Sequence, residues 1–329
     1  MSKSAAAIAH PNIAFIKYWG NRDDCYRLPA NGSISMNLGD LYTRTTITFD
    51  EDMDEDTLWI NGERASNDAE FRAIDWLTDF MEYAYVKGAS HIPGCVKIES
   101  ENNFPVGAGI ASSAAAFAAM TVAMAGVMEV ELTEEELSLR ARYGSGSACR
   151  SIPEGFCEWD YGSSNEDSVA FSLAPASHWD LVDLIAVVSG THKKVGSSHG
   201  HMSAFTSPFQ RERIRTAPQR IAVCRQAILE KDFESLAEVS EKDMIMMHSV
   251  MMTQNPPLFY WEPTSLEIMK AVHEWYEDGL DCFTTVDAGP NVHVICTADS
   301  EAEVKSRLDK IAGIQMILRS GPGGGAHLV

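Results

Sequence analysis

A chain of 329 residues with 45% hydrophobic and 22% charged side chains has the length of two domains or one large two-lobed unit, and its composition excludes disordered, collagen-like and coiled-coil classes. Its 47 acidic against 26 basic residues give a net charge of −21 with no lysine or arginine cluster, which argues against nucleic acid or an anionic membrane as partner and for small molecules. The 7 cysteines are scattered without a C-x-x-C pair and the N-terminus lacks a signal pattern, so a reduced, cytoplasmic setting is expected.

In chain order, residues 10–16 form an apolar run that reads as a strand ending at Lys17-Tyr18-Trp19-Gly20. Residues 42–49 and 57–60 read as strands, the second entering an Asn61-Gly62 hairpin turn. The spacing over 68–87 predicts an amphipathic helix with Phe71, Ile74, Leu77, Phe80, Met81 and Ala84 on one face. A strand at 95–99 leads into Asn102-Asn103-Phe104-Pro105 and a glycine loop. Residues 110–128 carry no charge, near the length of a membrane span, but alanine content and Ser112-Ser113 favour a buried core helix. Another helix starts at Thr133, with Glu136 in capping-box position.

The apolar run 181–188 reads as a buried strand, followed by helices at 210–229, 233–251 and 264–277. Strands at 281–286 and 291–296 flank Asp287-Ala288-Gly289-Pro290. A helix at 300–311, a strand at 314–318 and the run GPGGGAH follow. Strands and helices do not alternate regularly, so the expected class is α+β with antiparallel sheets and a soft boundary near 180, giving lobes 1–180 and 181–329.

Four segments could carry chemistry. Pro105-Val-Gly107-Ala-Gly109-Ile-Ala-Ser112-Ser113 offers backbone N–H groups at a helix start, where an anion can approach closely, and either serine could add a hydroxyl to phosphate or Mg2+. It is neither a Walker A loop nor a Rossmann fingerprint, and a tight turn into an alanine helix explains it as well. Gly144-Ser145-Gly146-Ser147-Ala-Cys149-Arg150 groups hydroxyls with a guanidinium suited to an oxyanion, although a surface loop is the plain alternative. Lys17-Tyr18 suggests a cation at a cleft edge or a snorkelling strand-end lysine. Asp287, fixed by Gly-Pro at a strand end, is placed for a catalytic carboxylate or a turn cap.

Three other features carry less. Gly196-Ser-Ser198-His199-Gly200 matches a hydrolase elbow, but the preceding apolar run ends too early for one. His192, His199 and His201 lack metal-ligand spacing and, beside Lys193 and Lys194, fit an anion site better. The methionines of 244–252 read as core filling.

Taken in order, AHPNIAFIKYWGNRD, NNFPVGAGIASSAAAF, YGSGSACRSI and TTVDAGPNV resemble the mevalonate diphosphate decarboxylase branch of the GHMP kinase superfamily, over roughly residues 8–326. The Gly321-Pro-Gly-Gly-Gly run sits where the superfamily's third motif belongs. The resemblance implies a two-lobed fold with a central cleft, an ATP-binding N-terminal lobe, Mg2+ and a homodimer. It implies that Gly107, Gly109, Ser112 and Ser113 wrap the ATP phosphates near Asn102, with Mg2+ held through those phosphates and Ser113. Ser147 and Arg150, with Asn12 among the substrate contacts, would hold the substrate carboxylate and its neighbourhood, and Ser145 would face the terminal phosphate. Lys17, Tyr18 and Asp287 would surround a tertiary alcohol and the phosphoryl group in flight.

The implied reaction is ATP-dependent decarboxylation of a phosphorylated mevalonate. The branch commonly has lysine where Asn21 stands and arginine, in some members, near His199. Loss of these fixed charges points to mevalonate 5-phosphate, giving isopentenyl phosphate, over the 5-diphosphate, although Arg22, Lys193 or Lys194 could compensate. A 3-kinase without elimination and a non-catalytic nucleotide-binding protein are the remaining alternatives.

Overall fold

Strands β1 (Lys3–Ala9) and β2 (Asn12–Ile16) run on from one another into different sheets, broken at Pro11, which has no N–H to give a ladder. The structure is a computed structural model that describes residues 3–89, 92–105, 110–189 and 197–329, with only the backbone of 197–199. A short ribbon, β3 (Asn21–Asp23) with β4 (Leu28–Pro29), precedes β5 (Ser33–Asn37) and β6 (Thr43–Phe49). Strands β7 (Thr57–Ile60) and β8 (Glu63–Arg64) form the expected hairpin, and Asn61 and Gly62 take the positive φ values (51° and 83°) that such a turn demands.

Helix α1 (Asn67–Val86), strand β9 (Val96–Asn102), and helices α2 (Ser112–Val127) and α3 (Glu134–Gly144) follow. The expected capping box starts α3: the Thr133 N–H donates to the Glu136 carboxylate at 2.9 Å and the Glu136 N–H to Thr133 Oγ1 at 3.3 Å. Helix α2 is apolar all round and correspondingly buried, packed across β1 and β6. No helix among the described residues is long and apolar enough to cross a membrane. The buried face of α1 is Ala73, Trp76, Leu77, Phe80 and Ala84; Phe71, expected on that face, is 71% exposed because it lies well off the line these residues follow.

The remaining elements are β10 (Phe156–Trp159), β11 (Ala170–Ala174), β12 (Leu181–Val187), α4 (Ser197–Ser203), α5 (Gln210–Glu230), α6 (Phe233–Thr253), α7 (Pro263–Glu277), β13 (Cys282–Thr285), β14 (Val292–Thr297), α8 (Glu301–Leu308), β15 (Met316–Ser320) and β16 (His327–Leu328). They complete a six-stranded sheet ordered β16-β1-β6-β9-β7-β8 and two four-stranded sheets, β11-β10-β5-β2 and β13-β14-β12-β15. Pairing is antiparallel, as expected, except between β7 and β9, which run parallel. The class is α+β, as expected.

One core lies between the six-stranded sheet and α1–α3. A second joins the two four-stranded sheets to α5 and α6, and a third lies between β12–β14 and α7–α8. Thus α6 packs against both β2 and β13, and the ends of those two strands meet beneath it. The glycine-rich end knits sheets together: Gly323 crosses Gly39 so closely that a Cβ would lie 2.6 Å from its backbone. The Gly39 N–H donates to Gly321 O, and the Gly323 N–H to Asn37 O, each at 2.8 Å.

Candidate active site

Strand β2 is buried throughout and carries an irregularity between Ala14 and Ile16, just before Lys17 leaves the sheet. The Lys17 side chain is 1% exposed, and its Nζ donates to Asp287 Oδ1 at 2.5 Å. Asp287 lies just past β13 and is 25% exposed, so it opens the pair to the cavity. Burial pushes the Lys17 pKa down, opposed by the Asp287 charge. Burial would push the Asp287 carboxyl up, but the Lys17 ammonium and its hydrogen bond hold it below the usual carboxylate range. The contact has the geometry of an ion pair.

The surface loop that was the plain alternative for this segment is not what forms: Gly146–Ser151 make a buried 3-10 turn, which delivers Arg150 to the same cavity. Gly146 is required there, since a Cβ would lie 2.5 Å from the Tyr18 ring. Arg150 is 3% exposed and donates to Ser35 Oγ (2.9 Å), Ser33 Oγ (2.5 Å) and Asn12 Oδ1 (3.0 Å). All three partners are neutral, and among the described residues no carboxylate lies within salt-bridge distance. Asn12 does not reach the cavity, contrary to its expected substrate contact. Its amide is consumed by Ser147 O and Ser151 Oγ, and its oxygen by Arg150, so it fixes the arginine from below.

Of the other expected residues, Tyr18, Asn21, Ser112, Ser113, Ser145 and Ser147 line this one cavity, about 140 Å³, with Lys17, Arg150 and Asp287. Ser113 and Ser145 place their hydroxyl oxygens 3.2 Å apart. The Tyr18 hydroxyl donates to Asn21 Oδ1, and the Asn21 amide turns to Asp24 Oδ1 at 2.8 Å. Helix α2 begins after Ala111 in left-handed conformation (φ 45°) with no side-chain cap, which leaves its N-terminal end to the cavity.

Two cavity residues, Arg27 and Arg72, were missed by motif reading, and His201, read only as part of an anion site, joins them. His201 stacks on Tyr18 at 4.2 Å and accepts the Gly20 N–H at Nδ1. Arg27 and Arg72 bring cations that, among the described residues, donate hydrogen bonds to the carbonyls of Tyr143 and Gly144. Burial, then the Arg27 charge, lowers the Arg72 pKa to about 10. A signal for Arg72 existed: it stands four and eight residues before Trp76 and Phe80, on the buried side of α1. Arg72, Ser112 and Ser113 also border a mostly apolar slot of about 160 Å³ between β7–β9 and α1–α2, and Asn102 lines that slot instead of the main cavity.

Gly107, Gly109, His192, Lys193 and Lys194 lie outside the described residues, as do the side chain of His199 and most of the Gly196–Gly200 hydrolase match. The Gly321–Gly325 run does not line the main cavity.

Residues 9–170 match the diphosphomevalonate decarboxylase-like N-terminal domain, and residues 183–319 match the mevalonate 5-diphosphate decarboxylase C-terminal domain. The diphosphomevalonate decarboxylase of Candida albicans is 40% identical over 322 residues, covering 94% of this chain and 89% of that protein. The solved mevalonate diphosphate decarboxylase of Enterococcus faecalis superposes with a TM-score of 0.91 at 33% identity, over 100% of this chain and 99% of that one. A structure described as "MDDEF in complex with MVAPP, AMPPCP and Magnesium" gives 0.92 at 34% identity, over 100% and 99%. Matched in both halves and aligned over almost its whole length, the chain belongs to the diphosphomevalonate decarboxylase family of the GHMP kinase superfamily.

Proposed function

We propose that this chain is an ATP- and Mg2+-dependent carboxy-lyase converting mevalonate 5-diphosphate to isopentenyl diphosphate, CO2, ADP and phosphate. The names of its relatives favour the diphosphate over the monophosphate expected from the sequence. The observation that carries the chemistry is the buried Arg150 guanidinium, held by neutral partners only, in one cavity with the Lys17–Asp287 ion pair. A buried cation hydrogen-bonded only to neutral groups suits a substrate carboxylate.

A tertiary alcohol is a poor leaving group, so ATP first phosphorylates it. Phosphate then departs with the C3–O bonding electrons, and the bond to the carboxylate supplies the electrons of the new double bond as CO2 leaves. Asp287, ionised and lysine-paired, is a weak base. It orients the C3 hydroxyl and takes its proton late, which suffices for a loose phosphoryl-transfer transition state. Lys17 neutralises charge on the phosphoryl group in flight.

The apolar slot accepts a flat base, and the open start of α2 with Arg72 and Arg27 accepts the phosphates. The Ser113–Ser145 hydroxyls offer no carboxylate, which fits a Mg2+ held mainly by phosphate oxygens. That ion supplies charge neutralisation on the phosphates when bound. A homodimer belongs to this reading, and sedimentation tests it.

The test is CO2 and ADP release from mevalonate 5-diphosphate with Mg-ATP. Equal yields are expected; ADP without CO2 would make the chain a kinase, and neither product would leave it a nucleotide-binding protein. A second reading, mevalonate 5-phosphate as substrate, rests on Asn21. Asn21 brings Asp24 to the cavity edge, and Arg22 points away to the carbonyls of Tyr161 and Gly162. Comparing kcat/KM for both substrates, in the parent and in Asn21→Lys, separates the two. Preference for the monophosphate in the parent, shifted toward the diphosphate in the variant, would establish the second reading.

A further inference from the structure

Helix α6 touches both halves of the ion pair through their backbones. Asp243 Oδ2 accepts the Lys17 N–H at 2.6 Å, and the same carboxylate accepts from Arg213 and, through Oδ1, from Arg220. Arg213 and Asn31 in turn donate to Lys17 O at 2.6 and 3.0 Å, so the peptide groups on both sides of Lys17 are gripped by buried side chains. Farther along α6, His248 Nε2 lies 3.1 Å from the carbonyl of Val286, the residue before Asp287. Burial first, against the Val286 hydrogen bond, lowers the His248 pKa to about 4, so the ring is neutral near pH 7. Since Val286 O can only accept, Nε2 carries the proton and donates it. Glu241, a turn and more earlier, accepts from the Thr284 N–H and hydroxyl at 3.0 Å.

Lys17 and Asp287 come from opposite ends of the chain, and neither strand alone fixes their separation. We infer that α6 sets it: Asp243 and His248 are positioning residues that hold the Lys17 backbone and the 286–287 backbone in one rigid frame. Lysine Nζ sits at the end of a long flexible stem, so a small backbone shift at either anchor changes the pair's geometry. A misplacement of about 1 Å at a reacting group can cost on the order of 100-fold in rate. The inference rests on the reading of Lys17–Asp287 as the reacting pair.

Asp243 is a poor first target, because its loss strands Arg213 and Arg220 as buried cations. His248 separates positioning from packing. His248→Leu fills the site without a donor, whereas His248→Gln returns an amide N–H close to where Nε2–H stands. The expected result is a fall of about 10- to 100-fold in kcat for the Leu variant, with KM for ATP and for mevalonate 5-diphosphate within about 3-fold of the parent. The Gln variant should recover most of that loss. Crystal structures of parent and variants provide a readout independent of turnover: the Lys17–Asp287 contact should open in the Leu variant and close again in the Gln variant. Parent-like kcat in the Leu variant, or an unchanged Lys17–Asp287 contact, would overturn the inference. If the parent releases no CO2, the proposed function fails, and the variant structures alone decide the positioning role.

Discussion

Two buried arginine sites face opposite ways in their electrostatics. Arg213 and Arg220 share Asp243, at 3.3 and 2.7 Å, with all three side chains inaccessible or nearly so. Arg150, equally buried, donates among the described residues to two serine hydroxyls and an asparagine oxygen. The first arrangement is closed, since each guanidinium meets a carboxylate inside the fold. The second is open, with no carboxylate in salt-bridge contact among the described residues, which suits the anion-binding role proposed for it. An unmatched buried charge is costly to hold, so a protein that keeps one on its cavity wall sacrifices stability for binding.

That contrast can be broken by mutation. Asp243→Ala should destabilise the protein most, by about 3–5 kcal/mol, because two guanidinium groups lose their carboxylate. Denaturant unfolding measures it, and a loss below about 1 kcal/mol would show the closed site is not load-sharing. Next comes Asp287→Asn, which should lower turnover by about 100-fold or more while the fold survives. A normal rate would remove Asp287 from the chemistry, and an unfolded variant would leave it a turn cap. Arg150→Met should do the opposite of Asp243→Ala: stability within about 1 kcal/mol of the parent, but kcat/KM for the mevalonate substrate down by roughly 10- to 100-fold, the scale of a lost charged hydrogen bond. Strong destabilisation there would erase the distinction between the two arginine sites. The smallest effect is expected of Ser113→Ala, a loss of about 5-fold in apparent affinity for Mg-ATP, at the scale of one neutral hydrogen bond. Unchanged nucleotide titrations would assign Ser113 to packing alone.

Much of the open site was legible in the sequence, because its chemistry sits in short runs: Lys17-Tyr18, Ser112-Ser113, Ser145 to Arg150, and Asp287. Helices with a clear period and the Thr133–Glu136 box were legible for the same reason, as local signals. The supports were not. Strand β5 (SISMN) places Ser33 and Ser35 in buried positions, where hydroxyls break the apolar alternation that marks a strand, so it was overlooked. Those same hydroxyls hold Arg150 across 117 and 115 residues of chain. The resemblance implied a substrate contact for Asn12, yet its side chain is spent inward on Ser147, Ser151 and Arg150. Asp243 grips Lys17 from 226 residues away, a relation no local pattern encodes.

The pairing of β16 with β1, Ala7 opposite Leu328 and Ile8 opposite His327, has a consequence for biosynthesis. Strand β1 is finished by β16, which follows every other strand of its sheet in sequence. At roughly 5–20 residues per second, β1 spends tens of seconds with that outer edge unpaired. During that time it is a template for any other extended segment, its own copies in neighbouring nascent chains included. The rest of the six-stranded sheet can assemble early, but that edge is sealed only once β16 has been made.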